Sequence, residues 1–187
     1  EIKAIFLQIN EVELSHYSEI TNDIYKACVH FKENLADDYD LVLSWDIDSN
    51  RYFNQDSYSR TKFFLGPEYV ILSSDLDKDM IGRKTYNQDR KTLLVAMGGA
   101  DEFDFTAKVI QKLNEMKCEM GLRIVLGAGY NQTRNLGKIL EASRLKYKVR
   151  QNVKNMFAEY MACDVAIGTG GLTASELVYT RIPTLLV

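Results

Sequence analysis

The chain has 187 residues, of which 46% are hydrophobic and 26% charged, with a formal net charge of −3. That composition suits an ordinary folded domain large enough to need neither disulfides nor a structural metal. With no basic stripe it argues against a nucleic-acid backbone binder, and no apolar run reaches membrane-spanning length. Cys28, Cys118 and Cys163 are odd in number, widely spaced and set in apolar contexts. They read as reduced core thiols of a cytoplasmic protein. No secretory leader is legible. The chain starts at Glu1 without Met and stops at Val187 inside a strand-like run, so it is expected to be a piece of a longer protein.

In chain order, Ile2–Ile9 is an apolar run expected to be a strand. Glu13–Leu35 places Ile20, Ile24, Ala27, Cys28, Phe31 and Leu35 at helical spacing, which predicts an amphipathic helix. His16 and His30 lie on it about four turns apart, too far to share a metal. Leu41–Trp45 is the next expected strand. The following segment, Asp46–Asp56, offers a D-x-D pair at Asp46 and Asp48. A calcium loop fails there, because Arg51 and Ser57 stand where Gly and Glu are required. The expected reading is a solvated loop at a strand end, with no metal.

Ser57–Lys91 is irregular, with Gly66-Pro67, an apolar run Tyr69–Leu72 and then a charge-rich stretch. The expected organisation is a partial α/β segment over 1–65, a crossover over 66–91 and an α/β domain over 92–187 that is C-terminally incomplete. In that domain apolar strands alternate with helices. Leu93–Met97 runs into Gly98-Gly99-Ala100-Asp101, and Phe105–Met116 follows as a helix with Phe105, Val109, Ile110, Leu113 and Met116 facing inward. Leu122–Leu126 runs into Gly127-Ala128-Gly129, then Thr133–Ala142 is helical with Leu136, Ile139 and Leu140 inward. Leu145–Val149 is a short strand, and Asn155–Cys163 a helix carrying Met156, Phe157, Tyr160 and Met161. Asp164–Ile167 is a strand, Gly168, Gly170 and Gly171 form a loop, Leu172–Thr180 is a helix, and Thr184–Val187 closes as a strand. Leu172, Leu177 and Val178 are expected on one side of that helix, Ser175 and Glu176 on the other. Such alternation predicts a doubly wound, Rossmann-like parallel sheet.

In that architecture ligands sit beyond the carboxyl ends of the strands, and three strands here end in glycine loops. A glycine loop leading into a helix N-terminus offers free N–H groups and a positive dipole end to an anion. Glu176, a turn inside the last helix, is placed to accept hydrogen bonds from hydroxyls attached to that anion. The sequence G-A-G-Y-N after Val125 lacks the later glycine of a dinucleotide fingerprint, and there is no phosphate-loop lysine. A mononucleotide or nucleotide-sugar rim therefore fits better than NAD or ATP hydrolysis. No Ser–His–Asp ordering is present. The acid/base candidates at the rim are Asp101, Glu102 and Glu176, and Asp101 reads equally as a helix cap. At helical spacing Met156 reads as core or as the lining of a base pocket.

The ordered motifs LLVAMGGAD (Leu93–Asp101), F-x-x-K (Phe105–Lys108), V-x-N-M (Val153–Met156), M-A-C-D-V-A-I (Met161–Ile167), G-G-L-T-A-S-E-L (Gly170–Leu177) and I-P-T-L-L-V (Ile182–Val187) carry a resemblance. Their order resembles the nucleotide-sugar hydrolases of pseudaminic acid synthesis and the spore-coat polysaccharide biosynthesis proteins. More distantly it resembles the C-terminal domain of family 28 glycosyltransferases. LGPEYVIL (Leu65–Leu72) is similar to the crossover into that domain. The resemblance spans roughly Tyr39 to Val187 and implies two facing Rossmann-like domains (a GT-B fold) with a nucleotide-sugar, a UDP-sugar first and a CMP-sugar second, between them. It implies Glu176 on the ribose hydroxyls, Gly170, Gly171, Leu172 and Thr173 on the diphosphate, and Gly98 and Gly99 facing phosphate or sugar. Val149–Asn152 would border the base, with Met156 behind. It implies no cofactor. Two departures stand out. The hydrolases' histidine-bearing glycine loop has no counterpart in Glu1–Asp38, and Ala100 replaces the serine usual in the transferases. Hydrolase or transferase chemistry is one expectation; a non-catalytic nucleotide-sugar-binding or scaffolding module is the other.

Overall fold

The computed structural model describes residues 4–8, 24–29, 39–53, 55–76, 78–81, 91–116, 119–131 and 136–187. His16, His30 and Cys118 lie outside them, as does most of the helix expected over 13–35. The chain divides into two compact units, 1–71 and 72–187.

The first unit is built on a four-stranded, all-parallel sheet: β1 (Ala4–Gln8), β2 (Tyr25–Val29), β3 (Leu41–Ser44) and β4 (Lys62–Leu65), in that spatial order. A single helical turn, α1 (Ser49–Tyr52), follows β3. β2 corrects the sequence expectation of one helix through Leu35. Ala27, Cys28 and Val29 are a contiguous buried run, and β2 hydrogen-bonds to β1 on one side and β3 on the other. Three adjacent apolar residues satisfy a helical stripe and an interior parallel strand alike, and strand pairing decides between them. β4 was not expected either. Its core packs Leu65 with Cys28, Tyr39, Val42 and Phe53, while the Phe63 ring lies 5.8 Å from those of Phe53 and Tyr58. Burial in this cluster pushes the Cys28 thiol up to about 12, which keeps it protonated and inert at neutral pH. Asp46 is exposed and Asp48 half-buried at the end of β3. Asp48 pairs with Arg51 at 3.3 Å, and the Asp46 carboxylate accepts the Asp48 N–H at 3.4 Å. Among the described residues no three metal-ligating side chains cluster.

The second unit follows a short helix, α2 (Lys78–Ile81), with β5 (Thr92–Ala96), α3 (Phe105–Glu115), β6 (Gly121–Leu126), α4 (Leu136–Glu141), β7 (Tyr147–Gln151), α5 (Met156–Met161), β8 (Val165–Gly168), α6 (Leu172–Tyr179) and β9 (Thr184–Leu186). The five strands are all parallel, in spatial order β7-β6-β5-β8-β9. Alternate strand residues face opposite ways, so each strand feeds two cores. Leu93, Val95, Leu122, Ile124 and Leu126 pack with α3 and α4 through Ala107, Ile110, Leu136 and Leu140. Leu94, Ala96, Val125 and Ala166 pack on the other face with Tyr160, Cys163, Leu177 and Ile182. Helices on both faces of a parallel sheet make this unit the doubly wound α/β layer that the alternating pattern predicts.

Two helix faces depart from expectation. Met116 lies just past the end of α3 and is exposed. In α6, Leu172 and Val178 are exposed while Glu176 and Leu177 are buried, so the inner face carries Thr173, Glu176, Leu177 and Thr180. A carboxylate on an inner face requires a buried partner, which the sequence pattern does not show.

Candidate functional site

Chain order reverses between β5 and β8. The chain leaves β5 outward to β6 and β7, then returns to the other side for β8 and β9. That switch opens a crevice at the carboxyl edge of the sheet, since the two connections leave in opposite directions. The loops after β5, β6 and β8 all lie on this edge, because Ala96 pairs with Val125 on one side and Gly168 on the other. Gly98 and Gly99 follow β5, Gly127 and Gly129 follow β6, and Gly170 and Gly171 follow β8. A Cβ added at Gly98 would stand 3.6 Å from the Thr169 hydroxyl, so the loops on either side of the switch are neighbours.

The glycines do different jobs. Gly127 is a packing requirement: a Cβ there would lie 2.1 Å from the Gly99 carbonyl oxygen and 2.5 Å from that of Gly98. The Gly129 N–H donates to the same Gly99 oxygen at 3.0 Å, locking the β6 loop against the β5 loop. Gly171 has φ +89 and Gly98 φ +75, backbone that side-chain-bearing residues avoid. Around Gly99, Gly170 and Gly171 there is open space.

Helix N-termini in this unit are not equivalent. At α3 the Asp101 carboxylate accepts the Phe105 and Thr106 N–H groups at 2.8 and 3.0 Å, so an internal anion fills that terminus. Asp101 thus occupies the capping role that was the alternative to acid/base work. At α5 the Asn155 side chain accepts the Ala158 N–H at 2.9 Å. At α6 the cap is Gly171, which has no side chain to accept an N–H of the first turn; the Ser175 hydroxyl donates to the Gly171 carbonyl at 3.5 Å and leaves those N–H groups untouched. Leu172, at its first position, is exposed, and Thr173 is half-buried.

Glu176 sits one turn further in and is 7% exposed. Its carboxylate Oε2 accepts a hydrogen bond from the Tyr160 hydroxyl at 2.6 Å, from a tyrosine that is fully buried on α5. Burial raises the Tyr160 phenol far above its ordinary range. The hydrogen bond to Glu176 and that carboxylate's charge add to the rise, and a hydrogen bond with Thr173 partly offsets it. The tyrosine therefore stays a donor at any physiological pH. Sequence reading placed Tyr160 on its helix and gave it no role in the site. Its role depends on a partner sixteen residues away on another element, which no local pattern signals.

Among the described residues the remaining candidates, Met156 and Asn152, make no polar contact with this cluster. Met156 is half-buried against the core formed by Leu94, Tyr160 and Leu177, together with Val153 and Leu76. Asn152 is exposed just past β7 with φ +51, and its N–H donates to the Leu126 carbonyl at 3.0 Å. That bond ties the end of β7 to the end of β6, two strands from the switch point.

No family model matches the chain. It is 27% identical over 150 residues, 78% of its own length and 30% of the other's, to the uncharacterized protein MJ1062 of Methanocaldococcus jannaschii. It is 24% identical over 130 residues, 67% of its length and 37% of the other's, to the spore coat polysaccharide biosynthesis protein SpsG of Bacillus subtilis. The chain thus spans about a third of the length of these relatives. Among solved structures it is similar to Acinetobacter baumannii MurG, with TM-score 0.57 and 12% identity over 99% of this chain and 52% of that one. It is also similar to the pneumococcal O-GlcNAc transferase GtfA, solved in complex with UDP and GlcNAc, with TM-score 0.51 and 13% identity over 94% of this chain and 39% of that one. The chain has the α/β fold of the Rossmann-like domains of GT-B glycosyltransferases.

Proposed function

We propose that unit 72–187 binds a nucleotide-sugar, with a UDP-sugar as the preferred ligand, and that the protein is a hydrolase or glycosyltransferase of surface or spore-coat polysaccharide synthesis. The observation that carries this reading is the contrast between helix N-termini. Asp101 fills α3 and Asn155 caps α5, whereas α6 starts at a bare glycine on the switch-point crevice. A diphosphate there would accept the N–H groups of Gly170–Thr173 and gain from the helix dipole. Glu176 would take the ribose hydroxyls, Gly98 and Gly99 would border phosphate or sugar, and Asn152 the base. Met156 would stand behind it. Likeness to SpsG supports the polysaccharide setting, and likeness to GtfA, solved with UDP, supports the choice of nucleotide. A cytoplasmic location suits the buried Cys28 and Cys163, neither of them in a disulfide.

In such an enzyme the α6 N-terminus would stabilise the diphosphate leaving group while water or an acceptor attacks the sugar. A non-catalytic binding or scaffolding module is the second reading. It is favoured by the engagement of both Asp101 oxygens with backbone N–H groups. Turnover of UDP-sugars by the protein separates the two, since binding without turnover selects the module.

Calorimetric titration with UDP is expected to give a Kd of about 1 mM or tighter. Replacing Glu176 with Ala is expected to weaken binding by roughly 1–3 kcal/mol, the contribution of a charge-assisted hydrogen bond. Equal affinity in that variant would overturn the ribose assignment.

A further inference from the structure

We infer that Tyr160 is the positioning residue of the nucleotide site, holding the Glu176 carboxylate in one orientation so that its other oxygen faces the ligand. This rests on the assignment of Glu176 to the ribose.

Glu176 has three flexible side-chain torsions, and its single side-chain hydrogen-bond donor among the described residues is the Tyr160 hydroxyl at 2.6 Å. A carboxylate at 7% exposure cannot rely on water for its hydration. The phenol supplies a fixed donor from α5, and because Tyr160 is fully buried its ring cannot swing away. With Oε2 engaged, the lone pairs of Oε1 are those left for a ligand hydroxyl. Thr173, on the same face of α6 one turn earlier, also hydrogen-bonds the phenol. The three side chains therefore link the first turn of α6, where the diphosphate is assigned, to the carboxylate assigned to the ribose. Tyr160 touches no ligand in this arrangement. It acts through Glu176 and Thr173, preorganising them so that binding does not have to immobilise a free glutamate.

A merely structural tyrosine would be paired with Glu176 only to satisfy its own buried hydroxyl. A double-mutant cycle on UDP affinity separates the two roles. Tyr160→Phe keeps the ring and removes the donor, so the fold is expected to survive, as checked by the melting curve. UDP binding in this variant is expected to weaken about tenfold, as for loss of a hydrogen bond to a charged group. In a Glu176→Gln background the same Tyr160→Phe change is expected to leave the already weakened affinity unaltered, because the carboxylate it orients has become an uncharged amide.

If Tyr160→Phe binds UDP like the parent while Glu176→Gln binds weakly, the positioning role is overturned and the ribose assignment stands. Equal loss from Tyr160→Phe in both backgrounds also overturns it, as the sign of a general packing defect. If Glu176→Gln binds like the parent, the ribose assignment itself falls. Should Tyr160→Phe fail to fold, incorporating 3-fluorotyrosine gives the second reading. A more acidic phenol at position 160 is expected to change UDP affinity in the parent but not in Glu176→Gln, and no difference between the two overturns the proposal.

Discussion

Gly127→Ala is expected to destabilise unit 72–187 by about 3 kcal/mol, at the upper end of what forced overpacking costs, whereas Gly170→Ala is expected to leave stability unchanged. The two residues lie on the same rim and differ in what surrounds them. The added methyl at Gly127 would meet backbone atoms of Gly98 and Gly99 at 2.1–2.5 Å, and backbone cannot rotate out of the way as a side chain can. The β5 and β6 loops would have to separate, breaking the Gly129 N–H bond to the Gly99 carbonyl. At Gly170 nothing lies within 4 Å of the new Cβ, and its φ is not in the left-handed region. The methyl there would instead occupy the space in which the proposed diphosphate would sit. UDP affinity is therefore expected to fall about tenfold or more in Gly170→Ala with the melting midpoint held, a loss of roughly 1.4 kcal/mol or more. Urea denaturation and UDP titration of both variants check the pair. Retained stability in Gly127→Ala, or retained affinity in Gly170→Ala, would contradict these roles.

Glu159→Ala is expected to cost about 3 kcal/mol of stability with no ligand present. Glu159 projects from α5 onto the sheet, where Oε2 meets the Arg123 guanidinium of β6 at 2.6 Å and Oε1 meets Arg150 of β7 at 3.5 Å. The glutamate side chain is 5% exposed and that of Arg123 18%, so removing the carboxylate strands a largely buried cation. Arg150 is more than half exposed, and Arg150→Ala is expected to cost under about 1 kcal/mol. Replacing Arg123 and Glu159 together by Met and Leu is expected to recover most of the loss, since a buried ion pair and a packed apolar pair differ little. Chemical denaturation of the three variants tests this ordering, and a loss from Arg150→Ala equal to that from Glu159→Ala would contradict it.

The parts legible in the sequence were those written locally. Short β-rich runs ending in glycine gave β5, β6 and β8, and their loops met at one edge because parallel strands all end on the same side. The fork at Asp101 between capping and acid/base work was likewise visible, since capping is a relation between residues a few positions apart. What escaped was set by distant partners. β2 was hidden because Ala27-Cys28-Val29 fits a helical stripe as well as a buried strand, and only β1 and β3 decide the matter. The faces of α6 were misgrouped because Glu176, being polar, was set opposite Leu177, while Leu172 and Val178, being apolar, were set beside it. Tyr160 reverses that assignment by satisfying the carboxylate inside the core. The same hydrogen bond thus explains both the largest misreading of a helix face and the residue that sequence inspection missed.

The central claim is that the first turn of α6, and not that of α3, receives the diphosphate. Mapping backbone amide chemical shifts while UDP is added to the protein tests it most directly. The expected result is a cluster of the largest shifts at Gly170–Thr173, with smaller ones at Gly98 and Gly99 and little change at Phe105 and Thr106, whose N–H groups Asp101 already holds. Shifts centred on the α3 terminus, or none at Gly170–Thr173 at saturating UDP, would contradict it.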